Sequence, residues 1–252
     1  MADRDFDVIV VGAGVAFLGL TIRSNWAEIA AYEWQTRWGQ LAVSVVLLNG
    51  SFLLAAYIWK RVLDRFRSGT PRFPVLVRIL FASKIARYIP GKVWQFVAVG
   101  QLSAGSGVSA RLMVSSMIVS TGFTLLSGVI VGSVTLFQQV PGLPPSAGIA
   151  IVAATVLALL ASHPRIIDFG LALLSKVTRR ETLTWTGGWG DSAELMLLWI
   201  VNWILQGVAF FLFADSLVHL DAGHILPLTG MNAFAFVAGY IAFVAPAGAG
   251  VR

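Results

Sequence analysis

The chain has 252 residues, 57% of them hydrophobic and only 12% charged, with a net charge of +6 and a mean hydropathy of +0.80. A soluble domain carries about 25% charged residues, so most of this chain has lipid as its solvent. Its basic stretches are short and no nucleic-acid-binding motif accompanies them, which argues against that class, and the absence of cysteine excludes disulfides, thiolate metal sites and cysteine nucleophiles.

In chain order, Asp3, Asp5 and Asp7 precede the first apolar run. A secretory signal would begin with basic residues and end in a small-residue cleavage site, so no cleaved signal is expected. Apolar runs predict membrane spans near 8–22, 41–59, 112–137, 148–161, 193–214 and 226–245. Residues 74–101 read as a helical hairpin, re-entrant or broken. Residues 163–180 read as an interfacial amphipathic helix, with Ile166, Ile167, Leu171 and Leu174 opposed by Lys176, Arg179 and Arg180. The expected fold class is all-α: one polytopic transmembrane bundle over 1–252, with about six spans, the hairpin and no soluble domain.

Charge tests this order. The loops at 23–38, 138–147 and 215–225 hold two, zero and zero Lys/Arg, whereas 60–73 and 163–192 hold five and four. The positive-inside rule therefore wants the last two in the cytoplasm. All loops comply if 74–101 enters and returns, and two short spans would give the same parity. The N-terminus is then cytoplasmic, and the expected location is the inner (cytoplasmic) membrane.

The hairpin is where chemistry is expected. Lys84, Arg87 and Lys92 lie between apolar runs, and Pro90 and Gly91 break the helix between them. Charges at bilayer depth cost about 2.5–3.5 kcal/mol each on insertion scales. Cations kept there bind an anion, for which a lipid phosphate is the abundant candidate, or snorkel to the headgroup layer and anchor the hairpin. A second break, Pro246, Gly248 and Gly250 before Arg252, falls at the same end of the expected topology, and two broken segments can line one groove.

Other features read as packing. Gly128 and Gly132 are spaced for close helix approach. Asn202 and Gln206 share one face of a helix, and with Glu194, Gln95 and Asn232 are expected to bond between helices. His219, Asp221 and His224 are explained by loop polarity, so no metal site is assigned. Gly12 and Gly14 begin like a dinucleotide fingerprint, but Phe17 stands at its third glycine and no βαβ unit can follow. No cofactor and no catalytic residue is assigned, and enzyme activity is not expected. A membrane-embedded transferase would have to draw on the scattered Asp168, Glu181 and Asp191.

The stretch Ala86, Arg87, Tyr88, Ile89, Pro90, Gly91, Lys92, Val93, Trp94, followed by Gly105 to Ser109, resembles a motif of the lysylphosphatidylglycerol synthase transmembrane region, the flippase-like integral membrane family. Residues 243–252 resemble that family's second signature, with Ala247 at a usual glycine and the chain stopping just before its glutamate. Typical members run on further, so a C-terminally shortened member is expected. The resemblance covers roughly residues 17–252. It implies a translocase for anionic, aminoacylated or glycosylated lipids. Lys84, Arg87, Lys92 and Arg252 would bind the headgroup, Pro90, Gly91, Pro246, Gly248 and Gly250 would line the groove, and Trp94 would anchor at the interface. The implied partners are a membrane phospholipid or polyprenyl-linked lipid. The alternative is a membrane subunit or scaffold for a separate glycosyltransferase or lipid-modifying enzyme.

Overall fold

The computed structural model describes residues 19–31, 36–66, 70–86, 93–139, 144–178 and 183–241, and these are helical with no strand among them. The helices are α1 (Trp26–Ala31), α2 (Trp38–Leu63), α3 (Phe73–Ile85), α4 (Trp94–Leu102), α5 (Ala110–Gln139), α6 (Pro145–Ala161), α7 (Pro164–Thr178), α8 (Trp189–Val218) and α9 (Ile225–Ile241). Three of them, α2, α5 and α8, are long and apolar enough to cross a membrane. The pair α6 and α7 passes the same test together but bends by 72° between them. Pro164 explains the bend: it lacks an N–H to continue the ladder, and it disfavours helical geometry at His163. The sequence reading separates a span from a surface helix at this point.

The bundle has an apolar core and is apolar on its outside as well. Large apolar side chains face outward, among them Val46 and Leu53 on α2 and Leu197, Val201 and Ile204 on α8. Serines, threonines and an asparagine lie inside, including Ser51, Ser116, Ser120, Thr124, Ser127 and Asn202. Lipid tails do not drive apolar surfaces together, so helices associate through small residues and interhelical hydrogen bonds.

Two such devices hold the centre. The Trp59 and Trp203 indoles donate across helices to Ser116 and Ser127, each at 3.0 Å. Gly128 and Gly132 on α5 admit α9 closely, since a β-carbon on either would lie 2.8 Å from Val237 Cγ2 or 3.2 Å from Phe234 Cβ. On α8, a β-carbon at Gly207 would collide with Thr229 of α9.

α2 and α8 run antiparallel, packed along their length and ion-paired at both ends. At one end the Arg37 guanidinium holds Asp215 at 3.2 Å and donates to His219 Nε2 at 3.1 Å. At the other, Arg61 grips both oxygens of Glu194 at 2.6 and 2.7 Å, and Arg65 reaches Asp191 at 2.7 Å. Arg37 and Arg61 are about 36 Å apart along a straight helix at roughly 1.5 Å per residue. That span falls between a hydrocarbon core of about 30 Å and a full bilayer of about 40–45 Å.

The Arg61 end also gathers the loops richest in Lys/Arg. The Thr186 N–H and hydroxyl both donate to the Arg65 carbonyl, at 3.0 and 2.6 Å. α2 ends and α5 begins at this end, as the bond from Trp59 to Ser116 requires. α3 therefore leads away from this end and α4 leads back toward it. α3 and α4, 13 and 9 residues long, pack on each other, and each falls short of the about 20 residues needed to cross.

Candidate functional site

The middle of the bundle is not filled. A cavity of about 400 Å³ opens between α2, α3, α4, α5, α8 and α9. It is lined on α2 by Phe52 and Trp59, and on α3 and α4 by Lys84 and Gln95. From α5 come Ser120, Thr121 and Thr124, and from α8 and α9 come Trp199, Asn202, Gln206, Asn232 and Phe236. Its size lies within the about 300–1,000 Å³ typical of small-ligand pockets.

Lys84 reaches this depth because α3 starts at the basic end and carries it about 17 Å along its axis, at roughly 1.5 Å per residue. Its ammonium sits over the Phe52 ring at 3.7 Å from the centroid, with the Phe81 ring at 5.8 Å. The two rings meet edge to face at 5.7 Å, which fixes the platform. An aromatic face partly replaces lost hydration around a cation.

The polar groups around it fall into two kinds. Thr121 and Thr124 donate to the carbonyls of Met117 and Ser120 in their own helix, at 2.8 and 2.9 Å. These hydroxyls are settled and keep accepting capacity. Asn202 is fully buried in the cavity wall, and neither its Oδ1 nor its Nδ2 has a hydrogen-bond partner among the described residues. The Trp199 indole N–H, one turn away, is also unpartnered. Leaving such a group unsatisfied costs about 1–3 kcal/mol.

Of the residues expected to bind a headgroup, Lys84 lines the cavity. Arg87, Lys92 and Arg252, and the helix-breaking Pro90, Gly91, Pro246, Gly248 and Gly250, lie outside the described residues. Trp94 opens α4 and is partly exposed. The sequence reading gave Asn202, Gln206, Asn232 and Gln95 to interhelical packing, whereas the structure brings all four to the same cavity as Lys84. Their signal was present as amides spaced one turn apart in an apolar helix, but only the fold shows that the Asn202 amide has no hydrogen-bond partner among the described residues. Glu194 does bond between helices, to Arg61 and Arg65.

The carboxylates considered for a transferase have other tasks. Asp168 accepts from the Trp185 N–H at 2.9 Å. Asp191 accepts from the Gly188 N–H at 2.7 Å and pairs with Arg65. Glu181 lies outside the described residues. Among the described residues no three His, Asp or Glu gather as metal ligands; His219 is engaged by Arg37 and His224 by Asp221.

A second hollow, between α5 and the bent pair α6–α7, is wholly different in character. It is lined by apolar residues such as Ile118, Phe123, Leu126, Ile167 and Leu171.

No family model, characterised protein or solved structure matches the chain.

Proposed function

We propose that this chain is a flippase-like membrane protein of the lysylphosphatidylglycerol synthase transmembrane type, which moves anionic, aminoacylated or glycosylated lipids across the inner membrane. In this reading it is a bundle of about six spans with a re-entrant hairpin, and the basic end carrying Arg61 and Arg65 faces the cytoplasm. The observation that carries it is Lys84. A cation placed mid-bundle, in a polar cavity walled by apolar helices, is costly to keep and is suited to draw a phosphate headgroup off the surface. The motif around Arg87, Pro90, Gly91, Lys92 and Trp94 supports the same reading.

The mechanism follows from the layout. The headgroup leaves the basic rim and enters the polar cavity while its tails stay in lipid. Arg87 and Lys92 would add to the attraction near Lys84, and Arg252 would do so from the second broken segment. Nothing in this path needs a chemical step.

The test is movement of a fluorescent anionic lipid between leaflets of proteoliposomes, read by dithionite bleaching. Wild-type protein accelerates exchange. Lys84→Gln, and the double change Arg87→Gln with Lys92→Gln, slow it at least about tenfold, as loss of a charge-assisted hydrogen bond does, while the protein remains folded. Unchanged exchange in both variants sinks the proposal. Absence of exchange by the wild type, together with copurification of a cytoplasmic transferase, would favour the scaffold reading.

A further inference from the structure

The apolar hollow between α5 and the bent pair α6–α7 does not end where its lining turns polar. A further hollow, between the first turns of α5 and the end of α7, shares Ile118, Leu171 and Leu174 with it. The two, of about 400 and 440 Å³, therefore form one trough along α5. Its inner part is walled by Phe123 and Leu126, and its mouth by Arg111, Ser115 and Ser175. Arg111 and Leu126 are about 22 Å apart along the helix, at roughly 1.5 Å per residue. The tails of one leaflet fill about 15 Å, half of a hydrocarbon core of about 30 Å. The trough thus runs from the basic rim through the depth of one leaflet.

The mouth carries an uncommitted cation. Arg37, Arg61 and Arg65 are all ion-paired, whereas the half-buried Arg111 side chain makes no ion pair or hydrogen bond among the described residues. No carboxylate lines either part of the trough among those residues. Ala110 lines the mouth as well, so the positive end of the α5 dipole adds to the Arg111 charge there. A guanidinium can hold a phosphate through two parallel bonds.

α7 shows what surrounds the trough. Ile167 and Leu171 line it, while Ile166 and Phe169 point outward and are 47% and 70% exposed. A helix apolar on both sides lies among lipid tails rather than in water. An apolar hollow excludes water, and an empty one forfeits dispersion contacts along its walls. Both walls also leave room at a glycine: a β-carbon on Gly122 of α5 or Gly170 of α7 would meet nothing within 4 Å.

From this we infer that the trough is a resident site for one anionic phospholipid of the leaflet at the basic end. Its phosphate is held by Arg111, and an acyl chain lies between α5 and α7. The site is separate from the central cavity, so the inference does not rest on the translocase reading.

The experiment uses the 252-residue chain, delipidated in detergent and offered phosphatidylglycerol, phosphatidylcholine or soluble glycerol phosphate. Native mass spectrometry counts the bound molecules. Wild type and Lys84→Gln are measured side by side, so that a lipid in the central cavity is counted apart. In both, one phosphatidylglycerol is retained about tenfold better than phosphatidylcholine, the worth of one charge-assisted hydrogen bond. Arg111→Gln removes that preference. Arg165→Gln, an exposed cation at the other end of α7, leaves it unchanged. Gly122→Leu fills the trough and lowers retention of both lipids about tenfold; should it fail to fold, Gly170→Leu carries the same expectation from the opposite wall.

Equal retention of the two lipids overturns the inference, as does an unchanged preference in Arg111→Gln or an equal loss in Arg165→Gln. Glycerol phosphate bound as well as phosphatidylglycerol would make this a site for a soluble anion and overturn it too. Loss of self-association in Gly122→Leu, with lipid retention intact, would give the trough to a second copy of the chain instead.

Discussion

The α2–α8 pair treats polar groups in opposite ways at its ends and in its middle. At the ends every charge has a counterpart: Arg37 with Asp215, Arg61 and Arg65 with Glu194 and Asp191, Lys60 with Asp64. In the middle, Asn202 and the Trp199 indole are buried with no hydrogen-bond partner among the described residues. Nearby serines and threonines show that the bundle can satisfy polar groups at this depth, since Ser127 both bonds its own helix and receives Trp203. The contrast is one of charge rather than of polarity, since Gln40 Oε1, Arg65 Nε and Ser192 Oγ, toward the ends of the same pair, are also buried without a hydrogen-bond partner among the described residues.

Four substitutions sharpen that contrast, beginning with the largest effect. Gly207→Leu forces a side chain into Thr229 where α8 and α9 touch. Overpacking of this kind costs about 1–3 kcal/mol or more, and denaturant titration in mixed micelles will show the greatest loss of the set. Arg37→Ala leaves the Asp215 carboxylate buried with the Leu220 N–H as its remaining donor among the described residues. Losing a charge-assisted bond costs about 1.5–3 kcal/mol, and the same titration measures it. Asn202→Leu should move the other way. Removing two unsatisfied buried atoms raises stability by about 1 kcal/mol, and a loss of that size would mean the amide is structural after all. Lys60→Gln deletes a partly exposed pair one turn apart in α2. It changes stability by less than about 0.5 kcal/mol, and a larger loss would mean the basic end is more tightly coupled than its exposure implies.

The sequence made part of this legible. Long apolar runs locate α2, α5 and α8, because lipid demands continuous apolar length and little else imitates it. Lys84 stands out because a cation in such a run needs a reason. The close approach at Gly128 and Gly132 is also readable, since small residues four apart form a flat stripe on a helix. Asp215 was not readable. Its position after an apolar run suggests the start of a loop, yet α8 continues to Val218 and holds the carboxylate inside against Arg37, far away in sequence. The cavity was hidden for the same reason. Whether an amide finds a neighbour depends on where several helices fail to meet, and no single stretch of chain records that gap.

The ion pairs that fasten both ends of α2 to α8 have a mechanical meaning. A beam fixed at both supports can bow, but it cannot slide or swing. Any gate into the hollow beside it must belong to shorter members, and α3 with α4 forms the wall that is too short to be clamped at both surfaces. Lys84 rides on that wall, with its ammonium over the Phe52 ring of the beam. The cation is thus carried by the short wall and Asn202 and Gln206 by the clamped helix, so any shift of α3 changes the distance between them.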